Sequence, residues 1–273
     1  MQNTKEPAIS ILMGVYNQRD KKALEQAIDS VLNQTFSDFE FLIYDDGSTK
    51  ENLSYLQELA KKDGRIKVLC GKENRGLAYG LNECLQASRG KYLARMDGDD
   101  ISEQERFEKQ VAYLEEHPDC AFAGCGAKLF DEEGVWGTRT LAEQPGEKDF
   151  LKFSPYIHPS VMFRSSVLKE AGGYLVTKDT RRCEDYELFM RLHCMGHHGH
   201  NMQELLFSYR EDRQRYDKRT FLQRVAEMKI RYRGFKTMGI LNIKTMLYVV
   251  KPVVMVLLPD RLRTMIRNRR NRP

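Results

Sequence analysis

This sequence is short of the features that mark several protein classes. Its six cysteines, Cys70, Cys84, Cys120, Cys125, Cys183 and Cys194, contain no C-x-x-C pair and are thinly spread over 273 residues. That pattern argues against a disulfide framework and for free thiols in a reducing compartment. The opening MQNTKEPAIS has neither the basic region nor the apolar run of a secretory signal, so the body of the protein is expected in the cytoplasm. No stretch reaches the roughly 20 apolar residues of a spanning helix. TMLYVVKPVVMVLLP (245–259) falls short of that and is interrupted by Lys251 and Pro252. There is no internal repeat and no low-complexity segment. The basic C-terminal tail has no aromatic residues interleaved with its arginines and no nucleic-acid motif, so no nucleic-acid partner is expected.

What is present is ordinary in bulk. Hydrophobic residues make up 41% and charged residues 30%, as in a soluble globular protein. The chain is long enough for one large domain, or one domain with an appendage. The formal net charge of +5 is concentrated at the end, where Arg261, Arg263, Arg267, Arg269, Arg270 and Arg272 follow a single acid, Asp260.

The first 120 residues alternate between two periods. Apolar runs of strand length at 8–16, 39–45, 66–70 and 91–96 are each followed by apolar residues at helical spacing, such as Leu24, Ala27, Ile28 and Val31 after the first. Strand–helix alternation predicts a mostly parallel sheet covered on both faces. Beyond residue 120 the pattern loosens. CAFAGCGAKLF, SVMFRSS and HNMQELLFSYR read as strands, with helices at 167–172 and 186–195. Phe221 to about Phe235 reads as a basic amphipathic helix. With the apolar 245–259 stretch and the arginines beyond, it suits a segment lying in the interface of an anionic bilayer.

Two acidic clusters sit at strand ends: YDDGS (44–48) and MDGDD (96–100). Ligands of open parallel sheets bind beyond the carboxyl ends of the strands. Carboxylates about 4 Å apart repel by roughly 4 kcal/mol at an effective dielectric of ~20, so grouping Asp45, Asp46, Asp97, Asp99 and Asp100 calls for a cation. Oxygen ligands favour Mg2+ or Mn2+, commonly shared with substrate phosphates, which suggests a nucleoside diphosphate ligand. A calcium loop does not fit: with Asp97 in the first position, Ile101 holds the fifth and Ser102 the place of the required glycine. Asp100 is expected to start the helix that follows. The cluster HCMGHHGH (193–200) lacks standard zinc spacing and is not expected to bind zinc.

ISILMGVYN, AIDSVLNQTFSDFEFLIYDDGST, NRGLAYGLNECLQASRGKYLARMDGDD, IHPSVMFRSSVLKEAGGY and CEDYELFMRL occur in the order expected of family 2 glycosyltransferases. The sequence resembles that family over roughly residues 8 to 210. The resemblance implies a GT-A fold: a Rossmann-like, mostly parallel α/β sheet flanked by helices; the C-terminal helical extension, expected from the tail itself to associate with membranes, lies beyond it. It implies a nucleotide-sugar donor, a divalent metal and transfer with inversion. It assigns Asp46 to the nucleobase with Tyr16 stacking nearby, Asp97 to the ribose or metal, Asp99 to the metal, and Asp185, with Glu184 beside it, to the general base. Arg75 and Gly76 of NRG are expected near the diphosphate, and His158 of IHPS at the donor phosphates or the acceptor. The charged stretch 209–219 could close over the site and exclude water.

The domain expected is 1–220, with a nucleotide-binding half to about 120 and an acceptor half at about 121–220; residues 221–273 form the extension. The function expected is transfer of a sugar, from a UDP-sugar by first choice, to a saccharide hydroxyl. The acceptor expected is a lipid-linked oligosaccharide for capsule, exopolysaccharide or lipopolysaccharide, at the inner face of the cell membrane. Two rivals stand beside it. A sugar-nucleotide pyrophosphorylase would want a glycine-rich loop after the first strand, where LMGVYNQRD offers only Gly14. An inert glycosyltransferase-like scaffold is opposed by the retained acids.

Overall fold

The structure is a computed structural model that describes residues 6–213 and 219–257. Its first half is built as the alternation predicts. Strand β1 (Ile9–Val15), helix α1 (Lys21–Leu32), β2 (Phe39–Asp45), α2 (Lys50–Ala60), β3 (Ile66–Cys70), α3 (Leu77–Ala87) and β4 (Tyr92–Arg95) follow one another. These four strands lie parallel in the order β3-β2-β1-β4. Period-two alternation sorts their side chains. Ile9, Ile11, Met13, Phe39, Phe41 and Ile43 enter a core shared with α1 and α2, while Leu12, Leu42 and Tyr44 enter the opposite core with Leu81 and Leu85 of α3. The strand order reverses direction between β1 and β4, which is where such sheets open a crevice at their carboxyl ends.

The second half is mixed rather than parallel. Strands β5 (Ile101–Ser102), β6 (Phe122–Asp131), β7 (Gly134–Arg139), β8 (Met162–Arg164) and β9 (Gly199–Arg210) extend the sheet, with β8 antiparallel to β4 and to β6 and β9 parallel to β6. Neither the two-residue β5 nor β7 was expected, since GVWGTR is too polar and too short to stand out. Helices α4 (Arg106–Glu116), α5 (Ser165–Glu170) and α6 (Glu184–Cys194) complete this half. All six cysteines are free.

Asp100 does not start a helix. Residues 101–102 pair with Phe207 and Ser208 of β9 instead, and α4 begins only at Arg106, after Glu105, whose side chain makes no capping hydrogen bond.

Two further helices, α7 (Phe221–Thr237) and α8 (Met246–Leu257), pack on the second core through Ile230, Phe235 and Val249. On the inner face of α7, Glu227 is buried among Arg219, Arg224 and Arg231, and Arg231 donates to the Leu151 carbonyl at 2.9 Å. Helix α8 runs through Pro252, which is buried, while Leu247 and Val254 on the helix and Ile243 just before it are exposed. Among the described residues no helix is long and apolar enough to cross a membrane. The arginine-rich 261–272 lies outside the described residues.

Candidate active site

The ends of β1 and β2 and the start of α3 frame a cleft of about 290 Å3, lined by residues that include Tyr16, Asp46, Gly76 and Glu184. Asp46 is 5% exposed, and both of its oxygens accept backbone N–H groups: Oδ1 from Arg75 at 2.8 Å and Oδ2 from Gly76 at 2.7 Å. It therefore shapes the wall of the cleft by holding the chain that enters α3. Gly76 has φ +94°, a conformation that favours glycine, and the space beside it is open. Tyr16 is half exposed at the rim. The Arg75 guanidinium stacks 3.7 Å over the Tyr79 ring, so its backbone, more than its side chain, builds the cleft. Asp45 beneath is buried and accepts the Ser48 N–H at 3.1 Å, a turn role.

After β4, Asp97, Asp99 and Asp100 bring carboxylate oxygens within 4.8 Å of one another. Sequence reasoning expected Asp97 and Asp99 to act together here; the fold brings Asp100 beside them. Asp100 Oδ1 accepts the Arg210 N–H at 2.8 Å, while its Oδ2 is buried without a partner. Burial and the charges of Asp97 and Asp99 push the Asp100 carboxyl well up, and burial with Asp97 also raises Asp99. An all-oxygen acidic set with one buried orphan atom fits a hard divalent cation such as Mg2+ or Mn2+.

A buried arginine joins this cluster to the far side of the site. Arg95, 2% exposed, contacts Asp97 with its guanidinium. Burial alone would lower its pKa, but Asp97, Tyr174 and Asp100 reverse the sign. Its charge also reaches Glu184 and Asp185 in the first turn of α6. Both of those carboxyls are pushed up, chiefly by burial, with Asp185 adding to the shift of Glu184. Glu184 Oε2 is buried and unpartnered.

His158 is buried, its Nε2 2.7 Å from the Tyr174 hydroxyl; burial, then Arg95, hold its pKa well below the usual range, so it is neutral. It is not among the residues that line the cleft. Two of the histidines of 193–200 are engaged by tyrosines, with His193 Nε2 2.8 Å from Tyr156 and His200 Nδ1 2.9 Å from Tyr113, while His198 Nδ1 lies 3.3 Å from His193 Nδ1 and His197 Nε2 3.3 Å from Glu170. In the stretch 209–219, Glu211 pairs with Arg139, and Arg213 with Asp131 and Glu133; residues 214–218 lie outside the described residues.

Sequence reasoning missed Arg95, Tyr174, Asn74, Arg181 and Arg182, of which the last three line the cleft. Only Arg95 left a signal, as a charge inside the apolar run YLARM.

A family profile described as glycosyl transferase family 2 matches residues 10–172. The putative glycosyltransferase EpsE of Bacillus subtilis is 35% identical over 254 residues, covering 93% of this chain and 90% of EpsE. The amylovoran biosynthesis glycosyltransferase AmsE of Erwinia amylovora is 31% identical, covering 77% of this chain and 79% of AmsE. Among solved structures, S. aureus TarS 1-349 in complex with UDP-GlcNAc has a TM-score of 0.65 at 15% identity, covering 93% of this chain and 82% of that one. The mannosyltransferase PcManGT of Pyrobaculum calidifontis, in complex with GDP-Man and Mn2+, has a TM-score of 0.62 at 14% identity, covering 96% and 73%. The profile match and the relation to EpsE along nearly the whole chain make this protein a glycosyltransferase of family 2, with the GT-A fold.

Proposed function

We propose that the protein transfers a sugar, with inversion, from a nucleotide-sugar to a hydroxyl of a saccharide acceptor. A UDP-sugar is the donor we favour, and a lipid-linked oligosaccharide for capsule, exopolysaccharide or lipopolysaccharide the acceptor. Relatives named for amylovoran, O-antigen and teichuronic acid biosynthesis support the pathway class. The observation that carries the reading is the aspartate triad with its buried, unpartnered Asp100 oxygen beside a cleft that also holds Glu184.

Asp97, Asp99 and Asp100 would hold Mn2+ or Mg2+, which when bound neutralises charge on the departing diphosphate. Asp46 fixes the backbone at 75–76 beneath the nucleoside, and Tyr16 stacks at the rim. Asp185 takes the proton of the acceptor hydroxyl at its carboxylate, with Glu184 the alternative base. Burial raises both carboxyls toward the range in which a base works near neutral pH. A single inverting displacement needs one base and no carboxylate nucleophile. The domain proper comprises residues 1–220 and the extension 221–273.

The protein works in the cytoplasm, on the inner face of the membrane. The exposed Ile243, Leu247 and Val254, flanked by Lys244 and Lys251, support this, as does the arginine-rich end of the sequence.

Hydrolysis of a nucleotide-sugar panel with Mn2+ tests the reaction. Turnover lost on chelation and in Asp99→Asn is expected. Metal-independent turnover would overturn the metal assignment, and a preference for a GDP- or dTDP-sugar would overturn the donor.

A further inference from the structure

The segment that leads into α6 carries two arginines with no assigned task. Arg181 and Arg182 are exposed and line the same cleft as Tyr16, Asp46 and Glu184. Neither guanidinium has an ion pair or hydrogen bond among the described residues. Several arginines elsewhere are engaged, Arg65 with Asp63, Arg139 with Glu211 and Arg191 with Glu187, whereas exposed Arg19 stands alone in its loop without an adjacent arginine. Two neighbouring free guanidinium groups repel each other, and an anion arriving at the cleft wall would offset that repulsion.

The backbone adds a second, independent observation. Arg182 has φ +67°, and Asn17 is the one other non-glycine residue with positive φ among the described residues. Asn17 directly follows Tyr16 of the same cleft. An L-residue in this region costs free energy, and such strain persists where the surrounding structure needs the side chain in that place. Glycine would fit without strain, yet arginine stands there. The cleft wall already carries the carboxylates of Asp46 and Glu184. A ligand that gains from a guanidinium fork beside them is multiply charged and presents several acceptor oxygens, which describes a phosphate or diphosphate.

We propose that Arg181 and Arg182 form a phosphoanion-binding arm of this cleft, built from an unpaired arginine pair that a strained backbone holds toward it. The proposal rests on the glycosyl-transfer reading for the two sources of that anion: the diphosphate of the nucleotide-sugar donor, or the phosphate of a lipid-linked acceptor. Because Cys183 alone separates Arg182 from Glu184, the bound anion also fixes the chain that presents the two candidate bases.

The test compares the full-length protein with Arg181→Gln/Arg182→Gln and with Arg182→Gly. Calorimetry in Mn2+ measures binding of UDP, GDP and dTDP against their nucleosides; a polyprenyl phosphate in micelles is measured separately. If the donor is the source, the diphosphate that the unaltered protein prefers weakens about tenfold or more in the double variant. The matching nucleoside is then unchanged. If the acceptor is the source, polyprenyl phosphate binding falls instead and the nucleotides are unaffected. Unchanged binding of every probe, or equal losses for nucleoside and diphosphate, overturns the arm. If the unaltered protein binds no nucleotide at all, the glycosyl-transfer reading fails, and the polyprenyl phosphate result alone decides the arm. Arg182→Gly separates binding from folding. Glycine adopts the native φ freely, so its melting temperature should hold or rise while phosphoanion affinity still falls; undiminished affinity in this variant removes Arg182 from the proposal.

Discussion

Asp100 Oδ1 accepts the backbone N–H of Arg210 at 2.8 Å, joining the acidic loop after β4 to the last residue of β9. That bond turns Asp100 into the aspartate triad and leaves Oδ2 buried without a partner. A carboxyl whose folded pKa is raised binds protons more readily in the native than in the unfolded state. Its charge therefore costs stability as pH rises from the ordinary carboxylate range through the folded pKa. Asp100→Asn removes that cost. At pH 7 the variant should melt about 2–4 °C higher and lose the stabilisation that Mn2+ gives the unaltered protein. A lower melting temperature with the Mn2+ response intact would contradict this.

The base is assigned by comparing Asp185→Asn with Glu184→Gln. If Asp185 takes the proton, its variant should lose about 100- to 10,000-fold in kcat and keep its donor affinity. Glu184→Gln should lose far less. The rising limb of kcat against pH should lie above the ordinary carboxylate range, because both folded pKa values are raised. A reversed ranking would hand the role to Glu184.

Asp46 and Gly76 can be separated from the chemistry. Asp46→Ala releases two backbone N–H groups and should raise the donor KM with a smaller change in kcat. Gly76→Ala meets no neighbouring atom, so its effect, about 1–2 kcal/mol, comes from the backbone at φ +94° alone. Equal losses in kcat and kcat/KM for Asp46→Ala would instead place it in the transition state.

Glu40 is a structural acid. It is 3% exposed, accepts from Ser10 Oγ at 2.8 Å and pairs with Lys67 and Arg89, and these partners outweigh its burial and hold its pKa at about 2. The stability it contributes is complete above the unfolded carboxylate pKa of about 4.5 and is lost as pH falls toward about 2. Lys67 and Arg89 are themselves well exposed, so screening limits the contribution to about 1–2 kcal/mol. Glu40→Gln should therefore destabilise at pH 7 and converge with the unaltered protein near pH 2 in denaturant titrations.

At the start of α8 and just before it, Ile243→Ser with Leu247→Ser should weaken partitioning to anionic vesicles without changing the melting temperature, since both side chains are exposed. Unchanged partitioning would remove this helix from membrane contact.

Much of this site is legible in the order of the residues alone. The apolar runs at 8–16, 39–45, 66–70 and 91–96 specify four strands because side chains that alternate between two buried faces must nearly all be apolar. Acids that break such runs mark strand ends, and that signal picks out Asp46, Asp97 and Asp99. The motifs from ISILMGVYN to CEDYELFMRL carry the family and, with it, Glu184 and Asp185. Local chemistry is written locally.

What only the tertiary structure decided depends on pairings between distant residues. Asp100 reads as a helix start because acids favour that position, yet two residues of β5 pair with β9 and move the helix start to 106. Arg95 reads as an anomaly in a strand until Asp97, Tyr174 and the α6 carboxylates surround it. Arg181 and Arg182 leave no signal in the sequence, and only the fold carries them to the cleft wall beside Tyr16 and Asp46. Sequence periodicity reports which face of an element is buried. It does not report which other element supplies the opposing charge, because that is fixed by sheet order and loop closure across the whole chain.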